Sequence, residues 1–237
     1  MMYLKSIIKT TVLATAFLST QVMAGLLTLE TYNTGVSTPE VIGGFSMTDF
    51  EMNNDVLTGS TSSLSSPING AIEFQDRDRN SLDMTRRTAD ATSWWNNGES
   101  TDYDIFTTGE HLIRILLPEN TRAFSFNVGA NLDSSGNNAW LKAEGYSQTN
   151  SDPGKLQKEY FNVSKTNTPG FGIYADNSDG NCGVISSIVV DPEFWGIGNF
   201  SISQSECVTT TTEVPEPGSL ALLGLGLLSL GAMRRKA

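Results

Sequence analysis

The sequence has few of the residues that usually carry enzyme chemistry. Its 237 residues include one histidine, His111, and two cysteines, Cys182 and Cys207. A serine–histidine–acid triad would have to use His111, which opens an apolar stretch and has no nucleophile-elbow motif near it. The absence of a histidine and cysteine cluster also disfavours a zinc site. We predict that the protein is not an enzyme. The alternative is a glycan-active hydrolase with two carboxylates, whose pairing in space a sequence does not reveal.

Positive charge is also scarce. The chain has 15 Lys and Arg against 26 Asp and Glu. Without the two cations of the first nine residues, and without the three cations and Glu216 of the C-terminal tail, 10 cations face 25 acids, a net charge of −15. Phosphate backbones and anionic lipid surfaces repel such a domain, so nucleic-acid binding is disfavoured. The acid excess favours either solubility outside the cell or calcium binding.

The region between residues 25 and 213 lacks an apolar repeat at helical spacing. It contains short runs in which apolar and polar residues alternate, as in half-buried strands, and turn-forming residues separate these runs. The clearest strands are 111–117, 122–129, 139–146, 171–175 and 184–190. Weaker candidates are 26–32, 41–47, 71–74, 157–163 and 198–203. About ten strands without helices predict an all-β fold, namely a sandwich of two antiparallel sheets.

The N-terminal segment has the three parts of a secretory signal. Lys5 and Lys9 supply positive charge, and residues 10–18 form a short apolar core. In residues 22–24 (VMA), the first and third positions, which a signal peptidase reads, have small side chains. The apolar core is too short to span a bilayer alone. We predict a signal peptide over residues 1–24, with cleavage between Ala24 and Gly25.

The C-terminal segment combines a proline-flanked acid, an apolar run and a basic end. Pro215, Glu216 and Pro217 precede sixteen uncharged residues, 218–233, and the chain closes with Arg234, Arg235, Lys236 and Ala237. As a helix, the apolar run would be about 24 Å long, slightly short of a bilayer core of about 30 Å. The terminal cations would stay in the cytoplasm, which places residues 25–214 outside. We predict a polar spacer at 209–214 and a tail with a hydrophobic helix at 215–237.

This tail resembles the PEP-CTERM sorting tail in the order and content of its three parts. The resemblance implies recognition by an exosortase-type membrane protease, removal of the tail, and delivery to the cell envelope or the exterior. The hosts of that family are typically Gram-negative bacteria that also make exopolysaccharide. Before its removal, the tail would anchor the chain transiently in the inner membrane.

Two cysteines that reach an oxidising compartment are more often bridged than free. If residues 184–190 and 197–204 form a symmetric hairpin that turns near residues 194–195, Cys182 and Cys207 lie opposite each other. A disulfide between them would contribute about 3 kcal/mol by loop closure. The alternative is a pair of buried thiols, which the export signal argues against.

Residues 171–202 resemble the closing strands of jelly-roll carbohydrate-binding domains. In those domains a buried Phe-Gly strand is followed by a strand of the type Ile-Ser-Ser-Ile and by a final strand that ends near an acid or amide. The resemblance implies a jelly-roll-like sandwich, which we place at residues 25–208, and a tendency towards glycan binding. It does not fix a binding site.

Aromatic residues supply the candidate ligand-binding set. If residues 139–146 form one strand, Trp140 and Tyr146 lie on the solvent-facing side. Trp94 and Trp95 lie in a second polar segment, SWWNNG. An exposed flat ring flanked by hydrogen-bonding groups can stack on the apolar face of a sugar. The alternative for these rings is structural, because aromatic side chains also cap sheet ends and shield edge strands.

One acidic stretch offers a weak metal candidate. Oxygen ligands stand near alternate positions, as calcium loops require, at Asp76, Asp78, Asn80 and Asp83. The glycine and the closing glutamate of the helix–loop–helix pattern are absent, so a charged surface loop is the alternative. The only cofactor that the sequence suggests is a structural calcium ion.

The sequence as a whole predicts an exported, non-catalytic protein that binds polysaccharide or serves as a matrix or adhesion component. Its expected partners are an exosortase, exopolysaccharide and, through the tail, the membrane. The alternatives are a glycan-active hydrolase and a purely structural, calcium-binding envelope protein.

Overall fold

The structure is a computed structural model that describes residues 26–32, 38–50, 59–88, 104–131, 139–149, 151–165, 167–175, 182–191 and 195–206. These residues form sixteen β-strands, which confirms the all-β prediction. Within these ranges no helix has the length and apolarity to cross a membrane. The predicted signal peptide (1–24), the whole predicted spacer (209–214) and the predicted tail helix lie outside the described residues.

The strands are short near the N-terminus and longer from β11 onward. In chain order they are β1 (Leu27–Tyr32), β2 (Val41–Ile42), β3 (Phe45–Ser46), β4 (Thr48–Asp49), β5 (Gly59–Thr61), β6 (Ser63–Ser65), β7 (Ala71–Gln75), β8 (Met84–Thr88), β9 (Asp104–Thr107), β10 (Ile113–Leu116), β11 (Thr121–Ala130), β12 (Ala139–Ser147), β13 (Pro153–Phe161), β14 (Gly170–Ala175), β15 (Gly183–Asp191) and β16 (Trp195–Gln204). An eight-stranded and a six-stranded sheet contain all of them except the small hairpin β2–β3.

The last eight strands form four nested antiparallel pairs. β9 pairs with β16, β10 with β15, β11 with β14, and β12 with β13. Successive pairs alternate between the sheets, so the order is β14-β11-β16-β9 in one sheet and β13-β12-β15-β10 in the other. Four strand pairs wrapped into two sheets in this way form a jelly roll. The predicted jelly-roll-like sandwich is therefore confirmed.

The remaining strands widen the two sheets. β1 extends the eight-stranded sheet beyond β14, β8 and β5 extend it beyond β9, and β4 pairs with β16. β7 and β6 extend the six-stranded sheet beyond β10.

A core of aromatic and branched aliphatic side chains fills the space between the sheets. The rings of Phe124 and Phe126 on β11 have centroids 6.1 Å apart, and Phe124 stacks on Phe200 of β16 at 5.8 Å. Ile115 and Ile188 of the six-stranded sheet belong to the same buried cluster. Removal of this apolar surface from water is the main stabilising term of the fold.

Both faces of β11 are buried. The alternation of apolar and polar residues places Phe124 and Phe126 towards the core, and it places Ser125 and Asn127 on the opposite side. There the hydroxyls of Ser125 and Ser201 bond to each other, and Asn199 Nδ2 donates to Asn127 Oδ1 at 3.0 Å. These bonds offset the cost of burying polar groups on the outer side of the sheet.

The predicted single strand at 41–47 is wrong, because this segment forms the hairpin β2–β3. Gly43 and Gly44 turn the chain with φ angles of +57° and +84°, a conformation that glycine adopts without steric cost. Ile42 is 1% exposed and faces Gly172 of β14. The hairpin therefore covers part of the outer side of the eight-stranded sheet.

The predicted hairpin of residues 184–190 and 197–204 is also wrong. β15 lies between β12 and β10 in the six-stranded sheet, whereas β16 lies between β11 and β9 in the other sheet. The physical reason is that both strands are almost entirely buried. Each strand therefore finds backbone partners on both sides within its own sheet, and the chain crosses between the sheets.

Candidate functional site

The outer face of the six-stranded sheet, which points away from the core, carries the predicted aromatic residues of β12. Ala139, Leu141 and Ala143 are at most 2% exposed, so the alternate side chains point outward. Trp140 is half-buried and Tyr146 is 40% exposed. The predicted orientation of both rings is confirmed. Their role as ligand contacts stays a prediction.

Tyr160 of the edge strand β13 lies beside Trp140 on this outer face. The two residues are directly opposite in the register of β12 and β13, and Tyr160 is 68% exposed. Residues in that relation have Cβ atoms about 5 Å apart. Trp140 and Tyr160 are therefore neighbours on one face, and we call them the aromatic pair.

Tyr160 is not predicted from the sequence, because a register shift breaks the alternation of β13. Opposite Lys142, β13 has an extra residue, so Leu156 and Phe161 both pack against the core although five positions separate them. A pattern of period two does not reveal such an irregularity. The only trace of this irregularity in the sequence is that Leu156 and Phe161 do not fit one alternation of apolar and polar residues.

Charged groups surround the aromatic pair. Lys158 Nζ lies 3.8 Å from the centroid of the Trp140 ring, a cation–π contact. The Glu144 carboxylate lies 3.8 Å from Lys142 Nζ and 3.7 Å from the Arg114 guanidinium. The face thus combines flat rings with donors and acceptors of hydrogen bonds at short range.

The hydrogen bonds of Arg114 and Ser186 hold this arrangement in place. Arg114 donates to Ser187 Oγ at 3.3 Å, and Ser186 Oγ donates to the backbone carbonyl of Glu144 at 2.9 Å. Both serines belong to β15, the strand between β10 and β12. The Arg114 side chain and the backbone of Glu144 are therefore anchored to the middle of the sheet.

The other predicted sites lie partly or wholly outside the described residues. This applies to the second aromatic segment with Trp94 and Trp95, to the signal cleavage site at Ala24 and Gly25, and to Cys207. It also applies to the residues of the predicted sorting motif, Pro215, Glu216, Pro217, Arg234, Arg235 and Lys236.

Cys182 is buried where β15 begins, at the end of the sandwich where β16 ends. Its carbonyl accepts a hydrogen bond from Gln148 N at 2.8 Å, and Gln148 Nε2 donates to Asn120 Oδ1 at 2.6 Å. The carbonyl of Asn120 in turn accepts a bond from Ser205 N at 3.1 Å, two residues before Cys207. No free thiol occurs among the described residues. The Cys182–Cys207 bridge stays a prediction, which this proximity supports.

Arg122 lies next to Cys182 and is 3% exposed. Its Nη1 lies 2.8 Å from Cys182 Sγ and donates to the Gly183 carbonyl, and its guanidinium stands over the Phe45 ring at 5.7 Å. Desolvation by burial lowers the pKa of this guanidinium. Arg122 ties β11 to the start of β15 and to the β2–β3 hairpin.

The weak calcium candidate forms a self-contained turn between β7 and β8. Asp76 accepts hydrogen bonds from the backbone and the side-chain amide of Asn80 at 2.8 and 3.1 Å. These bonds hold the pKa of Asp76 below its ordinary value. Asp78 and Asp83 are exposed. In the part of the chain that the structure describes, no three His, Cys, Asp or Glu side chains group to hold a metal.

A groove of about 390 Å³ contains two carboxylates, Glu73 and Glu119. Its wall also contains Gln204, which accepts hydrogen bonds from Ser66 Oγ and Asn69 N and donates to the carbonyls of Asn69 and Glu119. The side-chain amide of Gln204 thus links β16 by hydrogen bonds to residues 66–69 and to Glu119. His111 is exposed and lies two residues before β10.

The comparison with protein families concerns the C-terminal tail. Residues 213–236 match the family model of the PEP-CTERM protein-sorting motif, and this range includes Pro215-Glu216-Pro217 and the basic end. The predicted sorting tail is therefore confirmed. No curated protein and no solved structure matches the chain significantly. The chain thus carries a PEP-CTERM motif, which implies an exported protein that an exosortase, a membrane-associated protease, sorts at the cell envelope.

Proposed function

We propose that the exported sandwich binds polysaccharide without catalysis, as a matrix or adhesion component of the cell envelope or the exterior. The observation that carries this proposal is the aromatic pair Trp140 and Tyr160 on the outer face of the six-stranded sheet. Apolar ring surface that remains in water gains free energy when it stacks on the apolar face of a sugar.

The neighbours of the aromatic pair supply the polar half of such a site. Sugar hydroxyls need donors and acceptors next to the stacking surface, and Lys142, Glu144 and Arg114 offer both. Rings that point outward from a sheet leave room for a long chain to lie across the face. This geometry fits a polymer better than a small molecule, which a concave pocket would enclose.

The alternatives have weaker geometric support. A hydrolase needs two carboxylates that flank the scissile bond. Glu73 and Glu119 line a groove, but the side chain of Gln204 in that groove is occupied by internal hydrogen bonds. A calcium role for Asp76 competes with its hydrogen bonds to Asn80.

The tail determines where this binding takes place. We infer that the chain is first held in the inner membrane of a Gram-negative host through residues 215–237, and that the exosortase then removes this tail. Genomes with this motif family typically encode exopolysaccharide synthesis, which would place the ligand in the same compartment.

A glycan array tests the proposal. We expect the full-length chain to bind polysaccharides, and we expect the double variant Trp140→Ala, Tyr160→Ala to lose this binding because the stacking surface is gone. The matched control is Ile68→Ala, which removes another exposed apolar side chain, 47% exposed, from the β6–β7 turn. Unchanged binding by the double variant would remove the aromatic pair from the proposal. The absence of binding to every glycan would refute the function itself.

A further inference from the structure

Positive charge is concentrated on the outer face of the six-stranded sheet. Residues 25–214 contain ten Lys and Arg. Four of these ten lie on the outward side of strands β10, β12 and β13, namely Arg114, Lys142, Lys155 and Lys158. The same strands and the intervening β15 place two acids there, Glu144 and Asp191. A third acid of this face, Glu73, lies on β7, beyond β10 and opposite Leu116. The part of the face formed by β10, β15, β12 and β13 therefore carries four cations against two acids, on a domain whose overall charge is strongly negative.

The strand register arranges these groups in rows across the sheet. Asp191, Trp140 and Tyr160 form one row, in which each residue lies opposite the next. The adjacent row runs from Arg114 through Val189 to Lys142. Neighbouring strands are about 4.8 Å apart, so the cations and the rings lie within the reach of one short oligosaccharide.

Long basic side chains cover the centre of this face. Val189 is 2% exposed although it points outward, because Arg114 and Lys142 flank it on both sides. Their apolar stems shield the valine while their charged ends stay near the surface. Glu144 lies within 4 Å of both charged ends. An incoming anion would have to compete with this single carboxylate.

Lys158 occupies the position that a stacking sugar needs. Its ammonium lies 3.8 Å from the centroid of the Trp140 ring. A neutral sugar that stacks there must displace the ammonium and offers it no charge in return. A sugar with a carboxylate can draw the ammonium away from the ring and pair with it, which exposes the ring for stacking.

From this geometry we propose that the ligand is an acidic polysaccharide, one whose sugars carry carboxylates. Lys158 and Lys155 pair with the carboxylates, and Trp140 stacks on the sugar that Lys158 uncovers. This inference rests on the proposed function and adds the chemical class of the ligand.

Native affinity electrophoresis of the full-length chain tests the inference, with alginate as the polyuronate and dextran as the neutral polymer. We expect alginate to retard the chain more than dextran, and we expect added salt to reduce only the alginate effect. Lys158→Gln should weaken alginate binding by about two- to fivefold, as for one exposed ion pair. The control Lys165→Gln removes one positive charge outside this face and should leave binding unchanged.

Glu144→Gln separates a charge effect from a loss of structure. This variant removes the competing carboxylate, so alginate binding should become stronger by about two- to fivefold, whereas a damaged fold would only weaken it. A different result is that the wild type binds alginate and dextran equally and the double variant Trp140→Ala, Tyr160→Ala binds neither. That result would overturn the preference for acidic polysaccharide and leave the proposed function standing. Binding to neither polymer, nor to any glycan of the array, would refute both.

Discussion

At the scale of single residues, Asp76 shows how a carboxylate can stabilise a turn without a metal. Two hydrogen bonds from Asn80 favour the charged form and lower the pKa of Asp76. A depressed carboxyl pKa contributes stability that is fully present above the pKa of the unfolded chain, about 3.9. That contribution is lost as the pH falls through the folded-state pKa.

We therefore predict that Asp76→Asn lowers the thermal midpoint at pH 6 and that this difference disappears in strong acid. The variant cannot present a charged acceptor to Asn80, and the wild type also loses its charge at low pH. Thermal unfolding followed by circular dichroism from pH 6 to pH 2 provides the measurement. Asp78→Asn is the matched control and should show a smaller difference at pH 6. An equal difference between wild type and Asp76→Asn at every pH would contradict this account.

Single residues also show why the sequence predicts one part of the candidate site, Trp140, and not the other, Tyr160 and Lys158. Trp140 was found because β12 keeps strict alternation, with Leu141 and Ala143 in the core. Tyr160 was missed because the extra residue of β13 shifts the alternation. Lys158 lies over Trp140 only through the register of two strands, and a sequence does not state which strands are neighbours.

At the scale of elements, the β2–β3 hairpin covers a sheet face that would otherwise expose buried polar groups. Its turn depends on two glycines with positive φ angles. They differ in their surroundings. A Cβ on Gly43 would lie 2.2 Å from the Tyr174 ring, whereas a Cβ on Gly44 would have no neighbour within 4 Å.

This difference makes the two glycines a matched pair. We predict that Gly44→Ala destabilises the fold by about 1–2 kcal/mol, the cost of a left-handed backbone at a residue with a side chain. Gly43→Ala should cost about 1–3 kcal/mol more, because the methyl group also collides with Tyr174. Urea unfolding provides both free energies. Equal losses in the two variants would show that the hairpin does not pack on Tyr174 as described.

Long elements were predictable from the sequence, whereas short ones and their pairing were not. The strand at 122–129 was recognised because ten consecutive residues of β11 alternate between two buried layers. Strands of two or three residues, such as β4 and β5, give too few alternations to be recognised. The assumed pairing of β15 with β16 failed because proximity in sequence favours a hairpin, whereas a jelly roll separates these strands into two sheets.

At the scale of the whole molecule, the nested pairing returns the chain to one end of the sandwich. β15 leaves that end just after Cys182, and β16 comes back to it. The hairpin that supported the disulfide does not exist, yet the two sheets still bring Cys182 and the segment that follows β16, residues 205–206, to the same end. The bonds from Cys182 through Gln148 and Asn120 to Ser205 mark this proximity.

We predict that Cys182 and Cys207 form a disulfide in the exported protein. The cysteines are 25 positions apart (207 minus 182), and closing a loop of that length contributes about 3 kcal/mol. Reductant should lower the free energy of unfolding of the wild type by about this amount and leave a Cys182→Ala, Cys207→Ala variant unaffected. A peptide map without reductant should contain the linked pair. Two alkylatable thiols in the native exported protein would contradict the bridge.

The disulfide would fix the chain to the sandwich immediately before the spacer and the sorting tail. The eight positions from Cys207 to Pro215 (215 minus 207) can span at most about 28 Å when fully extended. With the disulfide in place, a cleavage site near Pro215 would stay within that distance of the folded domain. We expect such a tether to hold the domain near the membrane while an exosortase processes the tail.

Replacement of Pro215, Glu216 and Pro217 by alanine should leave the tail on the exported chain. Prolines at these positions would keep an apolar helix from extending backward, and Pro217 favours an extended backbone at Glu216, which a protease can bind. Intact mass spectrometry of protein from an exosortase-containing host should show a wild-type chain that ends near Pro215 and a variant that keeps the residues up to Ala237. Alanine at Thr210, Thr211 and Thr212 is the matched control and should not affect processing. A Pro-Glu-Pro variant whose mass shows the same C-terminal end as the wild type would separate this motif from cleavage. The hydrophobic and basic parts of the tail would then have to be sufficient for it.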